Sequence, residues 1–222
     1  MTAAGGGGGV TFHYEFHKEL SKCGTCVGVV YLCKDKVTHK YVECKFINRM
    51  SSAYNPDSIK RGIQIMIELT ECCGFERFYV DDEHVDLIME YCPGSDLYNR
   101  LMEITWFMES NAKIIFKQLM GVVESCHDIG VVHRDIKLEN IFLVTEENDQ
   151  CPDIRLGDFG LATYIKPGEK LHKACGSLYC IAPEMLDRNP VYNQAVDVWS
   201  AGVVLFIFLV EVRRLMERPI HI

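Results

Sequence analysis

The chain has 222 residues, enough to bury a full core in one large or two small domains. Its composition is that of an ordinary globular protein, with 48% hydrophobic and 24% charged residues. The net charge of −8 argues against general binding to nucleic acids or anionic membranes, because both favour basic surfaces.

The first residues and the cysteines indicate the cellular setting. The sequence begins Met1-Thr2-Ala3-Ala4, which is neither a secretory signal nor the Met-Gly start that N-myristoylation needs. We therefore expect a cytoplasmic or nuclear protein without a membrane anchor, with a flexible glycine-rich leader over residues 1–12. The eleven cysteines then favour buried thiols over disulfides. Cys23 and Cys26 have the spacing of a zinc or redox pair, but no second pair completes a zinc site.

The first part of the chain is rich in predicted strands. Residues 27–32 and 40–46 are β-rich and are joined by a polar turn. Residues 58–69 carry apolar side chains at helical spacing, and residues 85–89 predict another strand. That strand leads into Glu90-Tyr91-Cys92-Pro93-Gly94, whose Pro-Gly pair predicts a hinge.

Beyond the hinge the pattern becomes helical. Helices are predicted over residues 96–102, 110–129 and 197–210, with short strands between the last two. The apolar run at 203–210 is too short to span a bilayer and predicts a buried helix. The sequence therefore predicts an α+β fold with a small β-rich part at 13–92 and a larger helical part at 93–222.

Three short motifs follow one another in the second part. Residues 133–140 read H-R-D-I-K-L-E-N, residues 158–160 read D-F-G, and residues 182–184 read A-P-E. These are the signature motifs of protein kinases, and their order makes chance a remote explanation. The chain therefore resembles a eukaryotic protein kinase. A polar loop with a satisfied histidine is the alternative interpretation of residues 133–140, and the companion motifs argue against it.

The amino-acid sequence of several short stretches indicates which group of kinases the chain resembles. Residues 31–35, 88–92, 166–169 and 197–203 are similar to calcium-dependent and calmodulin-dependent Ser/Thr kinases, especially the plant-type calcium-dependent group. No D-x-[DN]-x-[DN]-G loop is present, so we expect no EF-hand calcium site in this chain. The resemblance implies a two-lobed kinase fold with an N-lobe at 13–92 and a C-lobe at 93–222 that lacks its last helices.

The resemblance also assigns the catalytic and metal positions. Asp135 would accept the proton of the substrate hydroxyl, and Lys137 would contact the transferring phosphate, as in kinases that act on Ser and Thr. Asn140 and Asp158 would bind Mg²⁺, which prefers hard oxygen ligands.

Further positions are expected to bind ATP. Lys45 ends a Val-Glu-Cys-Lys stretch where the family has Val-Ala-Ile-Lys, and it would grip the α- and β-phosphates. Gly28 and Val30 would belong to the loop that covers the phosphates. Backbone groups of Glu90 and Cys92 would bind adenine.

Other side chains are given supporting roles by the same resemblance. Asp197 would hold the backbone of the catalytic loop. Arg134 would bind an acidic or phosphorylated group in the activation segment, residues 158–184. The possible sources of that group are Thr163, Ser177, Tyr179 and the built-in acid Glu169.

Four departures from the kinase pattern bear on activity. The phosphate loop at 21–28 keeps only Gly24 and Gly28, with Gly24 out of register. Glu43 replaces the alanine that covers adenine, unless the strand twists or shifts to turn it away. Gly62 stands where the family has the helix glutamate that pairs with the strand lysine. The chain also ends before the last C-lobe helices of a kinase.

The sequence therefore predicts an ATP- and Mg²⁺-dependent protein serine/threonine kinase acting on protein substrates, with impaired activity. The alternative is a pseudokinase or truncated kinase fragment that serves as a binding module without catalysis.

Overall fold

The computed structural model describes residues 9–22, 28–104, 107–145 and 153–210. The chain divides into two compact units, one ending at Tyr91 and the other beginning at Cys92. The expectations for the first eight residues of the leader, for the Cys23/Cys26 pair, for Gly24 and for residues 211–222 lie outside the described residues.

A five-stranded antiparallel sheet forms the first unit, in the order β1-β2-β3-β5-β4. Its strands are Tyr14–Lys22 (β1), Gly28–Asp35 (β2), Tyr41–Asn48 (β3), Phe75–Val80 (β4) and His84–Glu90 (β5). Its helices are Val10–His13 (α1), Pro56–Glu68 (α2) and Thr70–Cys73 (α3). The sequence pattern does not predict β4, because a register shift between Phe75 and Arg77 interrupts its alternation.

The start of α2 follows from a local cap. The Asn55 side chain accepts a hydrogen bond from the amide of Ser58 at 2.9 Å, and Pro56 occupies the first helical position. Asn and Pro are favoured there because an amide donor is satisfied and φ is already helical. The helix therefore begins two residues before the predicted start.

Register places the nucleotide-binding candidates of the sheet on one face. Lys45 lies opposite Val30 on β2 and Leu87 on β5, and Glu43 lies two residues away on the same face. The pairing of β3 with both neighbours runs without a register shift. The strand therefore does not turn Glu43 to the other face, and its side chain is partly buried.

The opposite face of the sheet carries a hydrophobic cluster. Val10 and Tyr14 pack there with β2–β5 side chains, including Cys33 and Cys44. Val10 is only 3% exposed. The end of the segment predicted as a leader is thus packed against the sheet, because a buried valine stabilises α1 on this face.

The described residues of the second unit form three α-helices, two 3₁₀ helices (Leu138–Asn140 and Pro183–Met185) and two short strand pairs. The α-helices are Leu97–Ile104 (α4), Glu109–Asp128 (α5) and Ala195–Leu209 (α6). The strand pairs are Val131–Val132 (β6) with Thr163–Tyr164 (β9), and Ile141–Leu143 (β7) with Ile154–Leu156 (β8). Helix α5 buries Ala112, Ile115, Leu119, Val123 and Cys126 at helical spacing. None of the helices within the described ranges has the length and apolar character needed to cross a membrane.

The α+β prediction is confirmed. The smaller unit is built on an antiparallel sheet and the larger one is mainly helical, as in the two-lobed kinase fold.

Asp86 on β5 yields a prediction about pH. It is 3% exposed, and its Oδ1 has no hydrogen-bond partner within the described structure. Burial raises the pKa of this carboxyl to about 6 from an ordinary 3.8, and the nearby Asp81 adds to the rise. The folded state therefore holds a proton that the unfolded chain releases. Stability from this group is complete below pH 4 and is lost as the pH rises through 6.

We expect Asp86→Asn to remove this loss, on the order of 2–3 kcal/mol between pH 4 and pH 7. Urea denaturation followed by circular dichroism across that range measures it. Asp82→Asn, an exposed neighbour, is the matched control. Equal pH dependence in the parent protein and Asp86→Asn would contradict the prediction.

Candidate active site

One buried carboxylate holds the backbone of the predicted catalytic loop. Asp197, in the first turn of α6, is 1% exposed. It accepts hydrogen bonds from the amides of His133 at 2.9 Å and Arg134 at 2.8 Å, and its Oδ2 lies 3.0 Å from His127 Nε2. Arg134 has a φ of 69°, an unfavourable value for a non-glycine residue. The contacts to Asp197 help to stabilise that strained backbone.

His133 packs the loop onto the D-F-G motif. Its Nδ1 accepts the amide of Asp135 at 3.2 Å, so its other nitrogen carries the proton and donates to Gly157 O at 3.1 Å. The ring meets Phe159 edge to face with centroids 4.8 Å apart. Both side chains are buried, so the loop and the motif are held together by one polar and one aromatic contact.

The Asp135 carboxylate lies at the centre of the site and is fully hydrogen-bonded. Its Oδ1 accepts the Ser177 amide at 3.0 Å and the Ser177 hydroxyl at 2.8 Å. Its Oδ2 accepts Lys137 Nζ and Asn140 Nδ2, both at 3.1 Å. These contacts match the four acceptor positions of an ionised carboxylate. The side chain is therefore fixed in orientation, which is what its predicted role as proton acceptor requires.

Lys137 and Ser177 complete this cluster. Lys137 Nζ donates to Ser177 Oγ at 2.9 Å, and burial lowers the pKa of the ammonium. The adjacent Asp135 carboxylate, with Glu139 and Asp158, outweighs that effect and raises the pKa above its ordinary value. The cluster therefore places a protonated ammonium, a carboxylate and a hydroxyl in mutual contact.

A short hairpin brings the two predicted magnesium ligands together. Ile141 pairs with Leu156, so Asn140 precedes β7 at the edge where Asp158 follows β8. The amide of Gly157 donates to Asn140 O at 2.8 Å, and a Cβ on Gly157 would lie 2.6 Å from the Phe142 ring. Only glycine allows that approach. Asp158 has a φ of 56°, a strained value of the kind found at functional sites.

The donor set fits a hard cation. Asn140 Nδ2 is bound to the Asp135 main-chain oxygen at 2.8 Å as well as to the carboxylate. The amide nitrogen is thus assigned to Asp135, and the amide oxygen faces away from it. An amide oxygen and the Asp158 carboxylate are ligands that suit Mg²⁺, which usually keeps several waters or substrate oxygens besides a few protein ligands.

The predicted ATP-binding residues of the sheet belong to the first unit. A Cβ on Gly28 would lie 2.4 Å from Phe46 O, so the approach of β2 to β3 itself requires this glycine. The Glu90 amide donates to Gly74 O at 2.7 Å. An adenine contact made by the Glu90 backbone would therefore use its carbonyl. The side chain of Cys92, at the start of the second unit, is buried.

Arg134 and the predicted built-in acid Glu169 have other partners in the structure than those expected for them. Arg134 binds the carbonyl of Leu161 and the hydroxyl of Tyr192 where an anion was expected. Glu169 instead accepts the amide of Lys166 at 2.8 Å in an exposed turn.

The three expected phosphosites each have a partner or a place in a strand. Thr163 lies in β9, the Ser177 hydroxyl is bound to Asp135 and Lys137, and the Tyr179 hydroxyl donates to Glu139. No sequence signal points to Tyr192, since a neutral hydroxyl far along the chain matches no motif.

Comparison with known proteins agrees with this geometry. Residues 17–219 match the protein kinase domain family. This chain belongs to the protein kinase family. Among curated proteins, the kinase is 38% identical over 201 residues to calcium-dependent protein kinase 29 of Arabidopsis thaliana, covering 88% of the chain and 36% of that protein. It is 39% identical to calcium-dependent protein kinase 1 of Oryza sativa subsp. japonica, covering 88% and 38%.

A third relative is calcium-dependent protein kinase 32 of Arabidopsis thaliana, 39% identical over 187 residues, covering 82% of the chain and 34% of that protein. The kinase thus spans less than two fifths of the length of each of these relatives. The predicted resemblance to plant calcium-dependent kinases is confirmed.

The role of Asp197 generates a stability prediction. In Asp197→Asn only one side-chain oxygen remains to accept a hydrogen bond from the loop amides. The side-chain NH₂ group takes the place of the other oxygen and faces a backbone N–H, with which it cannot form a hydrogen bond. We expect a loss of about 2 kcal/mol or more in the free energy of unfolding of the second unit. Urea denaturation followed by tryptophan emission measures it, because Trp199 belongs to that unit and residues 1–91 contain no tryptophan.

The control is Asp187→Asn, which alters an exposed carboxylate. If the two variants unfold at the same urea concentration, Asp197 does not anchor the loop.

Proposed function

We propose that this kinase transfers the γ-phosphate of ATP to Ser and Thr hydroxyls of protein substrates, with Mg²⁺. The observation that carries the proposal is the Asp135 carboxylate, fixed by four hydrogen bonds beside Lys137 and Asn140. Phosphoryl transfer depends on positioning and charge stabilisation, and this cluster supplies both.

In this mechanism Asp135 accepts the proton of the attacking hydroxyl. Because its four acceptor positions are occupied, a substrate hydroxyl must displace one donor. The Ser177 hydroxyl is the donor that moves most easily, since it rotates about a single bond while the Ser177 amide keeps its place. The oxygen then forms a bond to the γ-phosphorus, the bond from that phosphorus to the β-phosphate oxygen breaks, and ADP leaves.

The protonated Lys137 serves two purposes in this step. Its ammonium holds Asp135 and can contact the negative oxygens of the transferring group. As a compact charge with three donors it can hold its present partners and gain a phosphate oxygen. Its place two residues after Asp135 supports Ser and Thr as the acceptors, through the resemblance described above.

Asn140 and Asp158 would hold Mg²⁺ through an amide oxygen and a carboxylate. The ion would supply positive charge that neutralises the phosphate oxygens and keeps them in place. We assign residues 13–92 to nucleotide binding, with Lys45, Gly28 and Val30 on the phosphates and the backbone of Glu90 and Cys92 on adenine. Residues 93–222 would supply the catalytic groups. A cytoplasmic or nuclear location and the absence of nucleic-acid and membrane partners remain predictions from the sequence.

A second candidate is a binding module without catalysis. Glu43 stays on the Lys45 face and is partly buried, and Gly62 is buried in α2 without a side chain to offer. Glu43 and Gly62 both stand at positions that bear on nucleotide binding, and neither lies in the catalytic loop. Nucleotide binding is therefore the property that separates the two candidates.

We expect ATP with Mg²⁺ to raise the thermal midpoint of the parent protein by about 5 °C or more at 100 times Kd. Lys45→Ala and Asp158→Ala should lose this shift because they remove phosphate and metal contacts. Lys40→Ala, an exposed lysine of the first unit, should keep it. Differential scanning calorimetry makes the measurement, and a cooperative transition that ATP leaves unmoved would favour the binding module.

We expect transfer of ³²P from labelled ATP to a serine peptide, and loss of at least about 100-fold in kcat for Asp135→Asn, because general-base catalysis is worth that much. Asp187→Asn should match the parent. A tyrosine peptide should accept no label. Equal transfer by the parent and Asp135→Asn would remove Asp135 from the mechanism.

A further inference from the structure

The side chain of Arg134 ends in an uncharged polar environment. Its Nε and Nη2 donate to the carbonyl of Leu161 at 2.8 and 2.5 Å. Its Nη1 donates to the Tyr192 hydroxyl at 3.2 Å. An arginine in the catalytic loop is thus held by a carbonyl and a phenol, where a carboxylate or phosphate would be its strongest partner.

Tyr192 connects this arginine to a distant part of the activation segment. Its hydroxyl donates to Lys173 O at 2.5 Å while accepting from Arg134. Its main chain exchanges two hydrogen bonds with Leu171, at 2.9 and 3.0 Å. The ring is 2% exposed. A single buried residue therefore joins the catalytic loop, residues 171–173 and the approach to α6.

The phenol has the chemistry that this position requires. It must accept from a guanidinium, which has donors only, and donate to a carbonyl, which only accepts. A hydroxyl does both with one atom. Burial is the main cause of the raised pKa of Tyr192, which keeps the hydroxyl proton in place.

The neighbouring sequence offers no substitute for this contact. Residues 171–176 read L-H-K-A-C-G, without an acidic residue or a hydroxyl that phosphorylation could make anionic. Glu169, the one acid between Phe159 and Pro183, is bound to the amide of Lys166. Residues 171–176 therefore offer Arg134 neither a carboxylate nor a hydroxyl that could carry a phosphate, and Glu169 is engaged elsewhere.

The hydrogen-bonded group of Arg134, Tyr192 and the Lys173 carbonyl, here called the clamp, lies next to the catalytic cluster along the chain. Gly176, with a φ of 102°, approaches the loop so closely that a Cβ would lie 2.5 Å from Arg134 O. Ser177 follows it directly and binds Asp135. The activation segment is therefore fixed on both sides of Ala174. Residues 171–173 are held through Tyr192, and residues 176–177 are held against the catalytic loop.

We propose that Tyr192 is the positioning residue of this kinase, fixing the activation segment on the catalytic loop by linking Arg134 to the Lys173 carbonyl. This inference rests on the proposed function for its catalytic consequence. Its structural consequence can be tested without it.

The test compares Tyr192→Phe, which removes only the hydroxyl, with Tyr41→Phe, which removes an exposed hydroxyl in the first unit. We expect the backbone amides of residues 171–176 to exchange with deuterium about tenfold faster or more in Tyr192→Phe, because a hydrogen bond to a charged group is lost. Amides of α5 and α6 should be unchanged. Equal acceleration across the second unit, or none beyond the control, would overturn the proposal.

A double-mutant cycle separates positioning from simple packing. If Tyr192 acts through Arg134, Tyr192→Phe combined with Arg134→Lys should exchange at 171–176 no faster than the faster single variant. Independent, multiplying effects would overturn the link between the two side chains.

Steady-state kinetics tests the catalytic consequence of the Tyr192 contact. We expect kcat for peptide phosphorylation to fall about tenfold in Tyr192→Phe with KM for ATP unchanged, because Ser177 and Asp135 lose their fixed relation. Unchanged kcat in a variant whose segment exchanges faster would overturn the positioning role. If the parent transfers no phosphate at all, the proposed function fails, and the exchange measurement still decides the clamp.

Discussion

The arrangement of the catalytic loop depends on the burial of one charge, the carboxylate of Asp197. A buried carboxylate must be met by donors, and here the donors are two successive amides and His127. The amides of His133 and Arg134 both point to this one group, and the backbone at Arg134 is strained where they do so. That strain turns the chain so that Arg134 reaches the activation segment while Asp135 reaches Lys137. Anchoring and catalytic geometry are therefore consequences of the same constraint.

The second unit holds Asp135 and His133 through hydrogen-bond networks. Asp135 has four donors, and His133 uses both ring nitrogens. Such networks are rigid because loss of one partner leaves a buried polar group unsatisfied. Rigidity of this kind suits the proposed phosphoryl transfer, a reaction in which a protein contributes position more than covalent chemistry. The Ser177 hydroxyl is the element of the network that can rotate away without breaking the backbone contacts.

The sequence predicts some of these features well and others not at all. Asp135, Asn140 and Asp158 could be found because their chemistry demands fixed residue types at short spacing, which a motif records. The apolar spacing predicts a start of α2 two residues too late, although Asn55-Pro56 is a cap signal for the true start. Strand β4 is not predicted by the pattern because a register shift between Phe75 and Arg77 breaks its alternation. Tyr192 could not have been found, since its role arises only when Arg134 and Lys173 are brought together by tertiary structure.

The departures from the kinase pattern within the described residues fall mainly in the first unit, and their physical effects partly oppose each other. Gly62 removes a carboxylate from α2, whereas Glu43 adds one on the Lys45 face of β3, two residues from the lysine. Opposite charges on one strand face reduce the cost of burying each other. Glu43 can therefore lower the energy of a partly buried Lys45 while occupying volume beside it. The net effect on ATP is set by the balance between charge compensation for Lys45 and repulsion of phosphate. The network around Asp135 belongs to the second unit and keeps its hydrogen bonds, so Glu43 and Gly62 bear on the proposed nucleotide binding and leave that network unchanged.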